Sequence, residues 1–198
     1  MLTLYHAPRS RSSRILWLLE EIGEPYRVET VSIRRQDGSG ARDPRSPHPD
    51  KKVPALVHDG RLVTESAAIC LYLSDAFPHA EVGPGPGDRG RAEYLTWLFW
   101  YPGVLEPVVV AKWKGTTDAD PTEKEAYEAM ESRLRGALER GPYLLGDAFS
   151  TADILLASVF QWGRQLMPQG EPFDAYLARL FARPALKRAM QKDDAAGA

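Results

Sequence analysis

The stretch Lys52-Val53-Pro54-Ala55-Leu56-Val57-His58-Asp59-Gly60-Arg61-Leu62-Val63-Thr64-Glu65-Ser66 decides how the first part of this chain folds. Two short runs, Ala55 to Val57 and Leu62 to Thr64, flank the turn His58-Asp59-Gly60-Arg61, which is the pattern of a β-hairpin. Pro54 stands just before the first run. Proline cannot donate to a strand ladder, and X-Pro is the bond type with an appreciable cis population. A cis turn here leaves the Val53 amide and carbonyl free to pair with a peptide-like ligand as an added strand; a trans proline at an edge-strand start is the plainer alternative. After the hairpin, Glu65 and Ser66 open a helix running through Ile69, Tyr72 and Leu73 to about Phe77. The Ser66 hydroxyl and amide suit a carboxylate and Glu65 suits an ammonium, so the pair could grip an α-amino-acid head group. Simple helix capping competes with that reading.

Upstream, Leu2-Thr3-Leu4-Tyr5 reads as a strand that Pro8 ends. Ser12 or Ser13 can cap a helix whose apolar face is Ile15, Leu18, Leu19 and Ile22, with Gly23 and Pro25 as its stop. Tyr26 to Val31 is a second strand. Residues 32–50 carry too much proline, glycine and charge for a regular element. Within 34–52, six basic groups face Asp37, Asp43 and Asp50, an excess that suits either a solvated loop or a nearby anion. Pro8-Arg9-Ser10-Arg11-Ser12-Ser13-Arg14 lies at a helix start, where unpaired amides favour negative charge. A hydroxyl placed there can donate to a thiolate and lower its pKa, although serines at helix starts are commonly only caps.

Downstream, the alternating Gly83-Pro84-Gly85-Pro86-Gly87 sustains neither helix nor ladder and marks a linker. No strand pattern follows it. Arg89 to Lys114 reads as a long aromatic-rich helix with a kink or break at Pro102-Gly103 and Pro107. Tyr127, Met130, Leu134 and Leu138 lie at spacings of three and four on another helix. Ser150-Thr151-Ala152-Asp153 is a capping box for a helix through Ile154, Leu155, Val159 and Trp162. Phe173 to Gln191 holds one or two more helices, interrupted at Pro184. The expected division is 1–80, a linker at 81–90, and an all-α domain over 91–198.

Composition sets outer limits. The 198 residues are 43% hydrophobic and 26% charged, in the range of globular proteins. Twenty-five basic against 27 acidic residues give a net charge of −2, which argues against a polycation for nucleic acid or membrane. The longest apolar runs are far too short to span a bilayer, and the N-terminal residues lack a signal-peptide pattern. A single cysteine, Cys70, excludes an internal disulfide, and the four histidines have no metal-ligand spacing. A cytoplasmic protein is the expectation.

The order and spacing of these pieces resemble the cytosolic glutathione S-transferase family over nearly the whole chain, most of all its bacterial, theta-like serine members. The resemblance implies a thioredoxin-like N-terminal domain followed by an all-α helical-bundle C-terminal domain. It implies a cis bond before Pro54, glutathione held by Lys52 and the Val53 main chain, and its γ-glutamyl end held by Glu65 and Ser66. The thiolate-stabilising hydroxyl falls on Ser10, four residues before Arg14, with Ser12 and Tyr5 as alternatives. His48 and Lys51 in the 34–52 segment are further candidate ligands. Trp97, Tyr101 and Leu105 stand four apart and suit the family's hydrophobic electrophile pocket, or else the core of the helical domain. Cys70, on an apolar helix position, reads as a buried inert thiol.

The function so implied is conjugation of glutathione, as co-substrate, to a small hydrophobic electrophile by a homodimer in detoxification, with no metal, nucleic acid or membrane partner. A non-catalytic glutathione-binding module on the same fold is the alternative from another class. A glutathione-dependent isomerase or peroxidase is the alternative within the enzymes.

Overall fold

The computed structural model describes residues 1–197. Residues 1–80 together with 183–197 form one compact unit, and residues 81–182 form another. The first contains β1 (Leu2–His6), α1 (Ser12–Ile22), β2 (Tyr26–Thr30), β3 (Ala55–His58), β4 (Arg61–Thr64) and α2 (Ser66–Ala76). The sheet order is β2-β1-β3-β4, with β1 parallel to β2 and the other pairs antiparallel. This is the thioredoxin-like arrangement expected from the sequence. Parallel β1 and β2 require a crossover, and α1 supplies it, burying Ile15, Leu16, Leu18 and Leu19. Gly23, at φ +79°, ends α1 in the left-handed region that glycine occupies at no steric cost. Residues 31–54 contain no helix or strand.

Serine capping of α1 is not what the structure has. The N-cap position is Arg11, without a side-chain cap, and Ser12 is already the first helical residue. Its hydroxyl is committed instead to the Ala7 amide and the His6 ring.

The second unit is all-helical: α3 (Arg91–Trp100), α4 (Glu106–Lys114), α5 (Pro121–Glu139), α6 (Thr151–Trp162) and α7 (Phe173–Phe181). The break anticipated at Pro102-Gly103 is a π-helical turn, Tyr101–Leu105, joining α3 to α4. The capping box forms as read, with the Ser150 and Asp153 side chains each meeting the other's amide. The Thr151 amide donates to Val82 O at 2.8 Å, tying the α6 start to the irregular segment at 81–90.

The final helix differs from the expected division. α8 (Pro184–Ala196) belongs to the first unit and packs on α1. Charge explains the attachment. Buried Glu20 of α1 accepts from Arg188 Nε at 2.7 Å and from Lys192 Nζ at 2.5 Å, and Glu21 accepts two bonds from Arg183. Among the described residues no helix is long and apolar enough to cross a membrane.

Candidate functional site

Strand register gathers the candidate residues of the first unit. Tyr5 pairs with Ala55, and Ala55 pairs with Thr64, so the exit of β1, the entry of β3 and the exit of β4 share one end of the sheet. The β1–α1 turn, the Val53-Pro54 turn and the β4–α2 junction therefore emerge side by side. Neighbouring strands lie about 4.8 Å apart, so three segments fan over roughly 10 Å, the reach of an extended tripeptide. The N-termini of α1 and α2 stand at this same end with their positive dipole ends, the Ser12 and Ser13 amides of α1 being met by Ser10 Oγ and Ser10 O.

The Val53–Pro54 bond is cis, as expected. β3 begins only at Ala55, so the Val53 main chain lies outside the ladder. The Val53 side chain packs with Ala7 and Val31, and Tyr5 and Ile33 lie against that cluster. A second cis bond, Glu171–Pro172, had no distinguishing signal in the sequence.

Glu65 takes φ +67° and ψ +125°, a conformation that side-chain-bearing residues rarely adopt. Ser66 follows as the first, buried residue of α2. Strained backbone of this kind tends to cluster at ligand-binding positions. Residue type alone gave no hint of it.

The three hydroxyl candidates occupy different environments. Ser12 is wholly buried and receives the Ala7 amide at 3.1 Å, with its Oγ 2.8 Å from His6 Nδ1. Ser10 is partly exposed. Its Oγ donates to Ala7 O at 2.7 Å, accepts from the Ser12 amide at 3.2 Å and stands 2.8 Å from Ser12 Oγ. Tyr5 is also partly exposed and packs on the Val53 cluster.

Sequence reasoning missed the groups behind this turn. Asp193 of α8 accepts from the Arg9 amide at 3.0 Å and from Ser13 Oγ at 2.5 Å, and its Oδ1 lies 3.2 Å from His6 Nε2. Burial pushes the Asp193 carboxyl up, but the adjacent His6 ring and the bonds from Ser13 and Arg9 outweigh that and hold it below its ordinary value. Asp193 sits in a polar terminal run that resembles a solvated helix end, so only the packing of α8 reveals it.

The loop over 31–54 is internally braced. Asp43 accepts two bonds from the Arg45 guanidinium, which hold its carboxyl far below the ordinary range. Lys51 Nζ donates to Ser46 O at 2.7 Å, and His48 Nδ1 accepts from the Asp50 amide. Both Lys51 and His48 thus have structural partners, and Lys52 is exposed with its Nζ 3.5 Å from Asp50 Oδ2. Arg35 reaches back to Pro8 O at 2.8 Å and braces the β1–α1 turn.

In the helical unit, Trp97, Tyr101 and Leu105 are all buried. Trp97 lines a cavity of about 380 Å³ with Ala92, Glu93, Thr96, Arg133 and Arg140. The Arg133 guanidinium lies 4.8 Å over both Trp97 and Trp100. The Tyr101 hydroxyl donates to Glu106. Cys70 is fully buried in α2, as anticipated.

Comparison with known proteins gives matches along most of the chain. Residues 9–76 match the glutathione S-transferase N-terminal domain, and residues 98–188 match the C-terminal domain. Glutathione S-transferase GstA of Escherichia coli O157:H7 is 25% identical over 196 residues, covering 96% of this chain and 98% of that protein. The disulfide-bond oxidoreductase YfcG of Escherichia coli K12 is 31% identical, covering 97% and 95%. Among solved structures, the ternary complex of BphK, a bacterial GST, is 26% identical with a TM-score of 0.79, covering 97% and 99%. A sphingomonad glutathione S-transferase complexed with glutathione is 25% identical with a TM-score of 0.79, covering 97% and 98%.

Proposed function

The chain belongs to the glutathione S-transferase family, and from that premise we propose that it binds glutathione at the shared sheet end and conjugates its sulfur to a hydrophobic electrophile. The single observation carrying this reading is the register that brings Ser10, Val53, Glu65 and Ser66 to one end of one sheet. The Val53 main chain, clear of the ladder, pairs with the peptide's cysteinyl backbone. Ser66 and the α2 amides take the γ-glutamyl carboxylate, and Glu65 takes its ammonium. Lys52 adds positive charge for the glycine end.

Ser10 then acts on the sulfur. A free thiol has a pKa near 8.5, so little thiolate exists at neutral pH. Lowering it by about two units corresponds to roughly 2.7 kcal/mol of preferential anion stabilisation. A charge-assisted hydrogen bond of about 1.5–3 kcal/mol, with help from the positive end of the α1 dipole, is enough. The thiolate attacks the electrophilic carbon and a C–S bond forms. The leaving group departs with its bonding pair, and the thiol proton goes to solvent. Because the nucleophile arrives with the ligand, buried Cys70 has no part. The apolar portion of the electrophile is assigned to the helical unit around Trp97, Tyr101 and Leu105, and the working form is a two-fold dimer.

The test pairs retention on immobilised glutathione with turnover of a generic aryl halide. Retention with turnover that rises with pH through the bound-thiol pKa supports the reading. Retention without turnover across aryl halides, maleyl-type compounds, peroxides and disulfides identifies a binding module instead. Turnover confined to disulfides moves the reaction class to the one named for YfcG.

A further inference from the structure

We propose that His6 and Asp193 are positioning residues for the Ser10 hydroxyl, acting through Ser12 along a buried chain whose direction is set by a charged His6. The proposal rests on the reading that Ser10 meets the glutathione sulfur.

Four side chains stand in line: Asp193 Oδ1 to His6 Nε2 at 3.2 Å, His6 Nδ1 to Ser12 Oγ at 2.8 Å, and Ser12 Oγ to Ser10 Oγ at 2.8 Å. His6 and Ser12 are wholly buried, so this aspartate–histidine–serine set meets no substrate of its own. Ser10, the one serine of the pair with exposure, is where the chain reaches solvent. The Nε2 contact lacks hydrogen-bond geometry, so Asp193 acts on the ring as a charge. From α8, His6 faces Asp193; from α1, the Ser12 hydroxyl. Arg9 in the β1–α1 turn donates its amide to the same Asp193, and in the sheet the register partner of His6 is Thr30.

Asp193 Oδ1, 3.2 Å from Nε2, disfavours a bare lone pair on that nitrogen and so the neutral Nδ1–H tautomer, which leaves the chain two directions. With a neutral ring protonated on Nε2, Nδ1 has only a lone pair, and Ser12 must donate inward to it. Ser12 then has no proton for Ser10, whose own hydroxyl turns to Ala7 O or Ser12 Oγ. With an imidazolium, Nδ1 donates to Ser12, Ser12 gives its proton to Ser10 Oγ at 2.8 Å in preference to Ala7 O at 3.2 Å, and Ser10 donates outward. Each bond in that run polarises the next, and the run ends on an anion. A thiolate at Ser10 and a proton on His6 therefore favour each other, and the coupling is reciprocal.

The sign of one substitution separates this role from simple electrostatics. Removing the Asp193 charge removes a nearby anion, which by Coulomb's law alone lowers the bound thiol pKa. Loss of the charged His6 raises it.

The experiment titrates thiolate absorbance with glutathione bound, and measures affinity separately with S-methylglutathione, which has no ionisable thiol. Asp193→Asn and Ser12→Ala are each expected to raise the bound-thiol pKa by about one unit, a tenfold loss of thiolate. Affinity for S-methylglutathione should change less than about twofold. Arg188→Met loosens α8 at Glu20 without touching Asp193 and should leave the thiol pKa in place. A lowered or unmoved pKa in Asp193→Asn, with a raised one in Ser10→Ala, overturns the relay alone. An unmoved pKa in Ser10→Ala overturns both the relay and the reading beneath it. An Arg188→Met shift as large as that of Asp193→Asn reduces Asp193 to a structural role and overturns the proposal. Should Asp193→Asn fail to fold, nitrogen NMR of His6 in the unaltered protein decides. Both ring nitrogens should become imidazolium-like with glutathione and not with S-methylglutathione, and no difference between the two ligands overturns the relay.

Discussion

The Ser10 and Ser12 hydroxyls stand 2.8 Å apart, yet Ser12 is wholly buried and Ser10 opens to solvent. Two residues of identical chemistry are thereby placed in different environments. Ser10→Ala removes the hydroxyl able to reach a ligand, and we expect aryl-halide turnover to fall roughly 10- to 150-fold with glutathione affinity nearly intact. Ser12→Ala orphans the Ala7 amide and His6 Nδ1 inside the unit, and should cost about 2 kcal/mol or more in denaturant unfolding. If Ser10→Ala loses glutathione affinity instead of rate, Ser10 holds the peptide and not the sulfur.

Glu20 joins α1 to α8 through Arg188 and Lys192, while Tyr26 also donates to it. These bonds outweigh burial and hold its carboxyl below the ordinary value, whereas burial and Glu20 push the Tyr26 phenol up to about 12. Arg188 and Lys192 are each half exposed, so solvent screens part of the attraction. Glu20→Ala should cost about 1–2 kcal/mol. A depressed carboxyl gives stability that is present above its unfolded pKa and lost as pH falls through the folded one, so this contribution should fade in acid. Limited proteolysis should cut ahead of α8 sooner in the variant, and equal cutting rates would remove the anchoring role.

The hairpin, α2 and the capping box were legible because each depends on neighbours in sequence, whereas the cis bond before Pro54 followed only from the family resemblance, local sequence alone favouring trans. A tight Asp-Gly turn between two short apolar runs and a serine three residues before an aspartate are signals carried by a few adjacent residues. The destination of α8 was not legible. Its docking depends on Glu20 and Glu21 meeting Arg183, Arg188 and Lys192 across more than 160 residues, and charged helix faces are commonly just solvated. The same distance hid Asp193. The division of labour between Ser10 and Ser12 was open for a related reason: which hydroxyl is buried depends on His6, which the strand pattern had left one residue beyond its end.

Ala92, Thr96, Phe99 and Gly103 fall three and four apart along one exposed face of α3 and the π-helical turn, and Phe99 is 63% exposed. A large aromatic there is expected to pack against a second copy of the chain. Light scattering at micromolar concentration should give twice 22.1 kDa. Phe99→Asp should shift the population toward monomer without unfolding the helical unit. A protein that is monomeric before the substitution removes the dimer.

Asp153 carries the clearest pH signature in the helical unit. Its carboxyl is buried and accepts from the Leu144 amide at 3.0 Å, the Ser150 amide at 2.8 Å and the Tyr176 hydroxyl at 3.0 Å, with Ser150 Oγ at 3.2 Å. Desolvation outweighs these donors and pushes its pKa up to about 6. The unfolded value is about 3.9, so between about 4 and 6 the folded state holds the proton more tightly than the unfolded state. Stability from this group therefore declines as pH rises across that window, by on the order of 2–3 kcal/mol, and levels off above it. Asp153→Asn cannot ionise and offers only one acceptor oxygen. It should lack this decline, so its stability relative to the unaltered protein should rise by on the order of 2–3 kcal/mol between about pH 4 and 6. The measurement is unfolding free energy against pH for both proteins, read as their difference, so that all other titrating groups cancel. A difference that stays constant from pH 4 to 7, or that shows the unaltered protein gaining stability relative to Asp153→Asn, would mean that the carboxylate's four donors outweigh its desolvation.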